Sequence, residues 1–164
     1  MTHHHSPSRL NYMQQSPELV KKLMDLSMAI ADSGIEQGLS CLVDIRASQM
    51  NGCAFCLDMH VKEAKLQGER ELRLHHVAIW RESPLFSPKE RAALAFTEAL
   101  TQIAPTGISD ELYAEICEHF SEKELSTLTF LVMSINAWNR ANVAFRTTPG
   151  AHDKAFGLDK AGLT

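Results

Sequence analysis

Apolar residues recur at three- and four-residue intervals along most of the chain, and no stretch alternates apolar and polar residues as a half-buried strand would. Ser16-Pro17-Glu18 supplies a cap, a proline at the first helical position and an acid in the first turn. Leu19, Leu23, Leu26 and Ile30 then predict a helix to about Asp32, with Gly34 just past its end. Leu39 to Met50 reads as the next helix, through Leu42, Val43 and Ile45. Asn51-Gly52 breaks it, and a further helix runs from Cys53 to about Gln67, ended by Gly68. Glu69 to Trp80 follows, with Leu72, His76 and Ile79 spaced for an inner face, until Pro84 stops it. Ser87 and Glu90 form a capping box before a largely buried helix reaching Ile103, and Ser109 caps a short helix to about Glu118. Ser121 and Glu124 repeat the box ahead of a helix over 122–145. That last helix is apolar nearly all round from Leu125 to Trp138, which predicts a fully buried position or a subunit interface.

The expected fold class is therefore all-α, with about seven helices in one domain over residues 16–149. Residues 1–15 read as a flexible N-terminal tail, and 150–164 as a loose or partner-draped C-terminal tail. A length of 164 residues with 45% hydrophobic composition suits a single domain with a real core, or one subunit of an oligomer. A net charge of -4 with no Lys/Arg cluster gives no electrostatic footing for nucleic acid. No apolar run reaches the ~18 residues of a membrane span. The first residues lack the charged-then-apolar order of an export signal, and His3-His4-His5 is too short a run to read as a metal site or a purification tag. Four cysteines in such a chain point to reduced thiols in a cytoplasmic setting.

The chemistry concentrates between Ser48 and Ala64. Cys53 and Cys56 stand three apart at the start of a helix, where unpaired N–H groups and the helix dipole favour a thiolate. His60 lies one turn beyond Cys56 on the same face, within reach of its sulfur as base or ion-pair partner. Three other readings of these residues stand beside the redox one. They are two ordinary core cysteines with a surface histidine, a Cys3His zinc set made of Cys41, Cys53, Cys56 and His60, and a zinc-stabilised binding module without catalysis.

The run Asp44-Ile-Arg-Ala-Ser-Gln-Met-Asn-Gly-Cys-Ala-Phe-Cys-Leu-Asp-Met-His60 resembles the signature of the carboxymuconolactone decarboxylase superfamily, in its CxxC-bearing alkylhydroperoxidase D-like branch. Ala78-Ile-Trp-Arg-Glu-Ser83, Ser87-Pro-Lys-Glu-Arg-Ala-Ala-Leu-Ala95 and Ile135-Asn-Ala-Trp-Asn-Arg140 resemble that branch in the same order. The resemblance implies an all-helical alkylhydroperoxidase D-like fold in a homo-oligomer, a trimer or hexamer. It further implies a thiol-dependent hydroperoxide reductase needing no cofactor or metal, whose dithiol is restored by an external dithiol or thioredoxin-like reductant. In the family's pattern Cys56 attacks the peroxide, Cys53 resolves, and His60 shuttles the proton; the two thiols could exchange roles. A non-redox lactone decarboxylase-like enzyme is the alternative within the superfamily.

One position departs from the pattern. The family's relay glutamate stands twelve residues before the first CxxC cysteine, where this chain has Cys41. A thiol there is expected to face the CxxC–His60 site yet supply no fixed negative charge. Asp44, one turn on, offers a carboxylate from nearly the same face, although a solvated surface charge is its expected role. Cys117 lies outside any motif and reads as packing, and Trp138, Asn139 and Arg140 as structural support.

Overall fold

The computed structural model describes residues 8–163, which contain α-helices and short 3-10 segments and no strand. The helices are α1 (Tyr12–Gln15), α2 (Pro17–Ala31), α3 (Gln37–Met50), α4 (Ala54–Leu66), α5 (Glu71–His76), α6 (Pro88–Thr101), α7 (Asp110–Cys117), α8 (Glu122–Phe145) and α9 (Asp153–Phe156). With α5 and its 3-10 continuation Val77–Glu82 taken together, α2 to α8 are the seven helices that the periodicity predicts. Both expected capping boxes form, Ser87 with Glu90 and Ser121 with Glu124. His3-His4-His5 lies outside the described residues.

The long helix α8 is the axis against which α2, α3, α4, α6 and α7 pack. Its inner face adds Leu125, Leu128, Leu131 and Val132 to a cluster with Val43, Ala92, Phe96 and Ile116. A second cluster, of Leu42, Ile45, Ala64, Leu74, Val77, Trp80 and Leu94, fills the space around α3, α4 and α6. The helix is not fully buried within the chain, because Phe130 and Met133 point outward at 47% and 54% exposure.

Three expectations need correction. The segment after Glu69 buries Leu74, Val77 and Trp80, while Leu72 and Ile79 face solvent, so its inner face is rotated from the expected one. It also kinks at Ile79 (φ -122, ψ 29). Side chains take carbonyls that a continuous helix would use itself: Arg91 donates to the Trp80, Arg81 and Ser83 oxygens, and Arg46 to that of Ala78.

The two tails are the other corrections, since both are docked in their described parts. At the N-terminal end, Arg9 donates from its backbone to Phe145 O and from its guanidinium to Ala144 O, and the Tyr12 ring stacks on Phe145 at 5.4 Å. At the C-terminal end, Leu158 and Ala161 are buried, and Lys62 Nζ on α4 reaches Asp153 at 2.7 Å as well as Asp58 at 2.8 Å. The Lys62 ammonium is thus paired with both carboxylates. Polar composition hides these attachments because each depends on one or two contacts across the fold rather than on a periodic face.

The α8 core generates the first prediction. Leu128→Ala should cost about 2–5 kcal/mol in urea unfolding, the range for a large side chain deleted from a full core, and Ser121→Ala about 1 kcal/mol for its cap. A Leu128→Ala cost no larger than that of the cap would contradict the placement of α8 at the centre.

Candidate functional site

The candidate site begins where α3 stops. Asn51 closes that helix, Gly52 turns the chain with φ +64, a conformation few other residues adopt, and Cys53 takes the extended N-cap position of α4. An N-cap side chain accepts a backbone N–H from the first turn, and here the acceptor is sulfur: Cys56 N donates to Cys53 Sγ at 3.3 Å. The two sulfurs lie 2.7 Å apart and share a hydrogen bond.

This arrangement splits the two thiols. The hydrogen bond with the Cys56 side chain holds the Cys53 pKa down at about 7 against its burial, with the Cys56 amide, Asn139 and His60 adding to the effect. The same shared bond, then burial and the Cys53 charge, push the Cys56 thiol up. The direction of both shifts favours charge on Cys53, whose sulfur caps the helix, over Cys56. Both are almost fully buried, at 2% and 1% exposure.

His60 sits on α4 with its side chain largely enclosed. Its Nδ1 is 2.8 Å from Glu63 Oε2 and 3.7 Å from Asp44 Oδ2, and the ring makes no hydrogen bond to Cys56. Burial alone would lower the His60 pKa, but Asp44, Glu63 and Cys53 outweigh it and the net shift is upward. Asp44 is no solvated surface charge. It is buried at 9% exposure, and burial raises its pKa to about 6 against the pull of His60, with Glu63 adding to the rise.

Cys41 does not join this group. Its sulfur donates to Gln67 Oε1 at 3.2 Å and packs with Ile45 and Ala64, and burial, with Asp44, Glu63 and Glu69 nearby, pushes its pKa up to about 12. It is a neutral neighbour of the carboxylates, so the acidic part of the site comes from Asp44 and Glu63. Among the described residues no three His, Cys, Asp or Glu side chains are arranged to hold a metal ion, and the set Cys41, Cys53, Cys56 and His60 is not gathered. Cys117 is exposed rather than packed, beside an open groove lined by Phe96, Tyr113, Phe120 and Leu125, because α7 turns its neighbour Ile116 inward instead.

Sequence reasoning missed the polar seam of α8. Asn136, Asn139 and Asn142 recur every three residues along one buried stripe. Asn51 Nδ2 donates to Asn136 Oδ1 at 3.0 Å and to Asn139 Oδ1 at 2.9 Å, Asn139 Nδ2 donates to Ser48 Oγ, and Asn142 Nδ2 donates to Cys56 Sγ at 3.4 Å. The repeat of asparagines in an apolar helix was the available signal. Arg140, expected to support the structure, reinforces the seam from the surface through Asn136 O and Oδ1. Glu63 had its own signal, a carboxylate three residues after a helical histidine.

An all-helical bundle with a thiol pair capping a central helix, and a histidine held between carboxylates, defines a class that the sequence comparisons agree on. Residues 17–99 match the Carboxymuconolactone decarboxylase family, and the chain belongs to it. Over 136 residues it is 40% identical to the uncharacterized protein YdfG of Bacillus subtilis, covering 83% of this chain and 92% of that one. A solved structure from Agrobacterium tumefaciens, a protein of unknown function proposed to be the antioxidant defence protein AhpD, shares 41% identity with a TM-score of 0.85, covering 88% of this chain and 99% of that chain. The debrominase Bmp8 shares the fold at 23% identity and a TM-score of 0.76, covering 91% of this chain and 80% of that chain. No helix of the described residues is long and apolar enough to cross a membrane.

The carboxylate pair around His60 sets the second prediction. Removing the Asp44 charge in Asp44→Asn takes away an interaction that favours imidazolium, so the His60 pKa should fall by about one unit or more. An NMR titration of the ring reads this directly. An unchanged midpoint would assign the charge balance to Glu63 alone.

Proposed function

We propose that the chain is a dithiol oxidoreductase that reduces hydroperoxides, with Cys53 the attacking sulfur and Cys56 the resolving one. The observation that carries this reading is the place of the Cys53 sulfur as the N-cap acceptor of α4, where a backbone N–H and the neighbouring thiol both favour its ionised form. The resemblance of the relatives to AhpD supports the same class.

The steps balance with groups already present. The Cys53 thiolate attacks the terminal oxygen of a hydroperoxide ROOH, the O–O bond breaks, and Cys53 becomes a sulfenic acid while RO⁻ leaves. His60, its pKa raised by Asp44 and Glu63, gives a proton to the departing alkoxide and so yields ROH. Cys56 then attacks the Cys53 sulfur, and its proton leaves with the sulfenic hydroxyl as water. The resulting disulfide is returned to the dithiol by exchange with an external dithiol, of the kind a thioredoxin-like protein presents. A homo-oligomer in which a second copy covers the outward Phe130 and Met133 belongs to the same proposal.

The test is consumption of an organic hydroperoxide in the presence of excess small-molecule dithiol. Wild type should turn over and Cys53→Ser should fall to the buffer rate, while Cys56→Ser, reduced and then freed of dithiol before peroxide is added, should consume one equivalent and hold Cys53 as sulfenic acid. Undiminished peroxide consumption by Cys53→Ser would refute the order. Turnover of a lactone that survives replacement of both thiols would refute the redox function itself.

A further inference from the structure

The seam of α8 ends in a contact that the proposed cycle does not use. Tyr12, on the short helix docked over the end of α8, directs its hydroxyl at Asn142 Oδ1 across 3.2 Å. Asn142 Nδ2 donates to the carbonyl of Trp138 at 3.0 Å and to Cys56 Sγ at 3.4 Å. The backbone carbonyl can only accept, which fixes the amide with its nitrogen toward Trp138 O and Cys56. The amide oxygen is then left facing Tyr12, and since it too can only accept, the phenol must be the donor. The hydrogen bonds therefore run in one direction, from phenol to amide to sulfur, through a buried asparagine where such bonds polarise one another. Tyr12 is held for this by its stacking on Phe145 and by Arg9, which fastens the same segment to the carbonyls of Ala144 and Phe145. Its own pKa is raised to about 12, by burial first and then by the two cysteine sulfurs, so it stays a donor throughout the neutral range.

We infer that Tyr12 is a positioning residue for the resolving step, acting through Asn142 to orient the Cys56 sulfur and to stabilise the negative charge that develops on it as it attacks Cys53. The inference rests on the reading of Cys56 as the resolving thiol and gives the N-terminal segment a part in the chemistry. Before reaction, with Cys53 ionised as proposed, Cys56 faces that charge across 2.7 Å. Once Cys53 carries an oxygen or sulfur substituent that partner charge is gone, and the donor that remains on Cys56 from outside the CxxC turn is Asn142, with Asn139 beside it. Of the two amides, Asn142 alone is tied to the N-terminal helix.

A small thiosulfonate separates this step from any peroxide chemistry. With methyl methanethiosulfonate, the Cys53 thiolate attacks the sulfenyl sulfur, methanesulfinate leaves, and Cys53–S–S–CH3 forms. Cys56 then attacks Cys53, methanethiol leaves carrying the Cys56 proton, and the intramolecular disulfide results. Rapid-quench mass spectrometry of the reduced full-length protein resolves adduct from disulfide. Tyr12→Phe keeps the ring stacked on Phe145 and removes only the hydroxyl. It should leave adduct formation at the wild-type rate and slow its conversion to disulfide about fivefold to tenfold, the size of one lost hydrogen bond. The apparent pKa governing the second step should also move upward, as expected when a donor to the developing thiolate is weakened. Asn142→Ala should slow the same step at least as much, and Tyr12→Phe placed on Asn142→Ala should add little. Conversion in Tyr12→Phe at the wild-type rate, or both steps changed by one common factor, overturns the role of Tyr12. Peptide mapping that finds the first adduct on Cys56 overturns instead the thiol order on which the inference rests, and a protein that completes both steps normally yet ignores peroxide removes only the substrate assignment.

Discussion

A buried polar seam in an apolar bundle fixes the register of everything near the thiols. Asn136, Asn139 and Asn142 face inward from α8, where each unpaired amide would cost roughly 1–3 kcal/mol, and sliding the helix by one residue would strand all three. Among the described residues no buried side-chain nitrogen or oxygen lacks a partner. The partners are Ser48, Asn51 and Thr101, together with the Cys56 sulfur, so the helix that forms the core also fixes the break between α3 and α4. Conformational freedom at Gly52 is spent in one geometry because Asn51 is tied from its other side.

From that fixed break the electrostatics follow. The Cys53 sulfur occupies the N-cap only because the chain turns there, and an N-cap acceptor is favoured in its charged form. The His60 pKa, one turn along, is raised by Asp44 from α3 and Glu63 from its own helix, which makes the site a shared product of two helices packed closely together. Cys41 is kept protonated by its burial first and by the nearby carboxylates second. Position 41 thus carries no charge, and the carboxylates near His60 are Asp44 and Glu63.

Much of this was legible in the chain. Capping boxes at Ser87 and Ser121 and the Asn51-Gly52 break are local signals, each decided within one or two turns, and each appears in the fold as read, whereas the CxxC-x3-His spacing puts His60 on α4 but turned to Glu63 and Asp44 instead of Cys56. What failed was non-local. Asp44 carries the sequence signature of a surface charge, and only the packing of α4 against α3 encloses it with His60. The residues after Glu69 have two candidate apolar faces, and the arginines that choose between them come from distant helices. Tyr12 sits in a polar stretch that reads as a tail, because nothing local announces that its ring lands on Phe145, 133 positions away. The charge order of the two thiols was undecidable from spacing, which places both at a helix start; it depends on which sulfur caps and which donates.

That order is the centre of the account, and the ultraviolet absorbance of the thiolate tests it. In reduced protein with Cys41 and Cys117 replaced by serine, a pH titration should show one thiolate appearing with a midpoint at about 7, as the lowered Cys53 pKa requires. Cys53→Ser in that background should abolish the transition, and Cys56→Ser should move it upward, because the Cys56 side chain is the principal group holding it down. A neutral-range transition that survives Cys53→Ser and vanishes with Cys56→Ser would contradict the account.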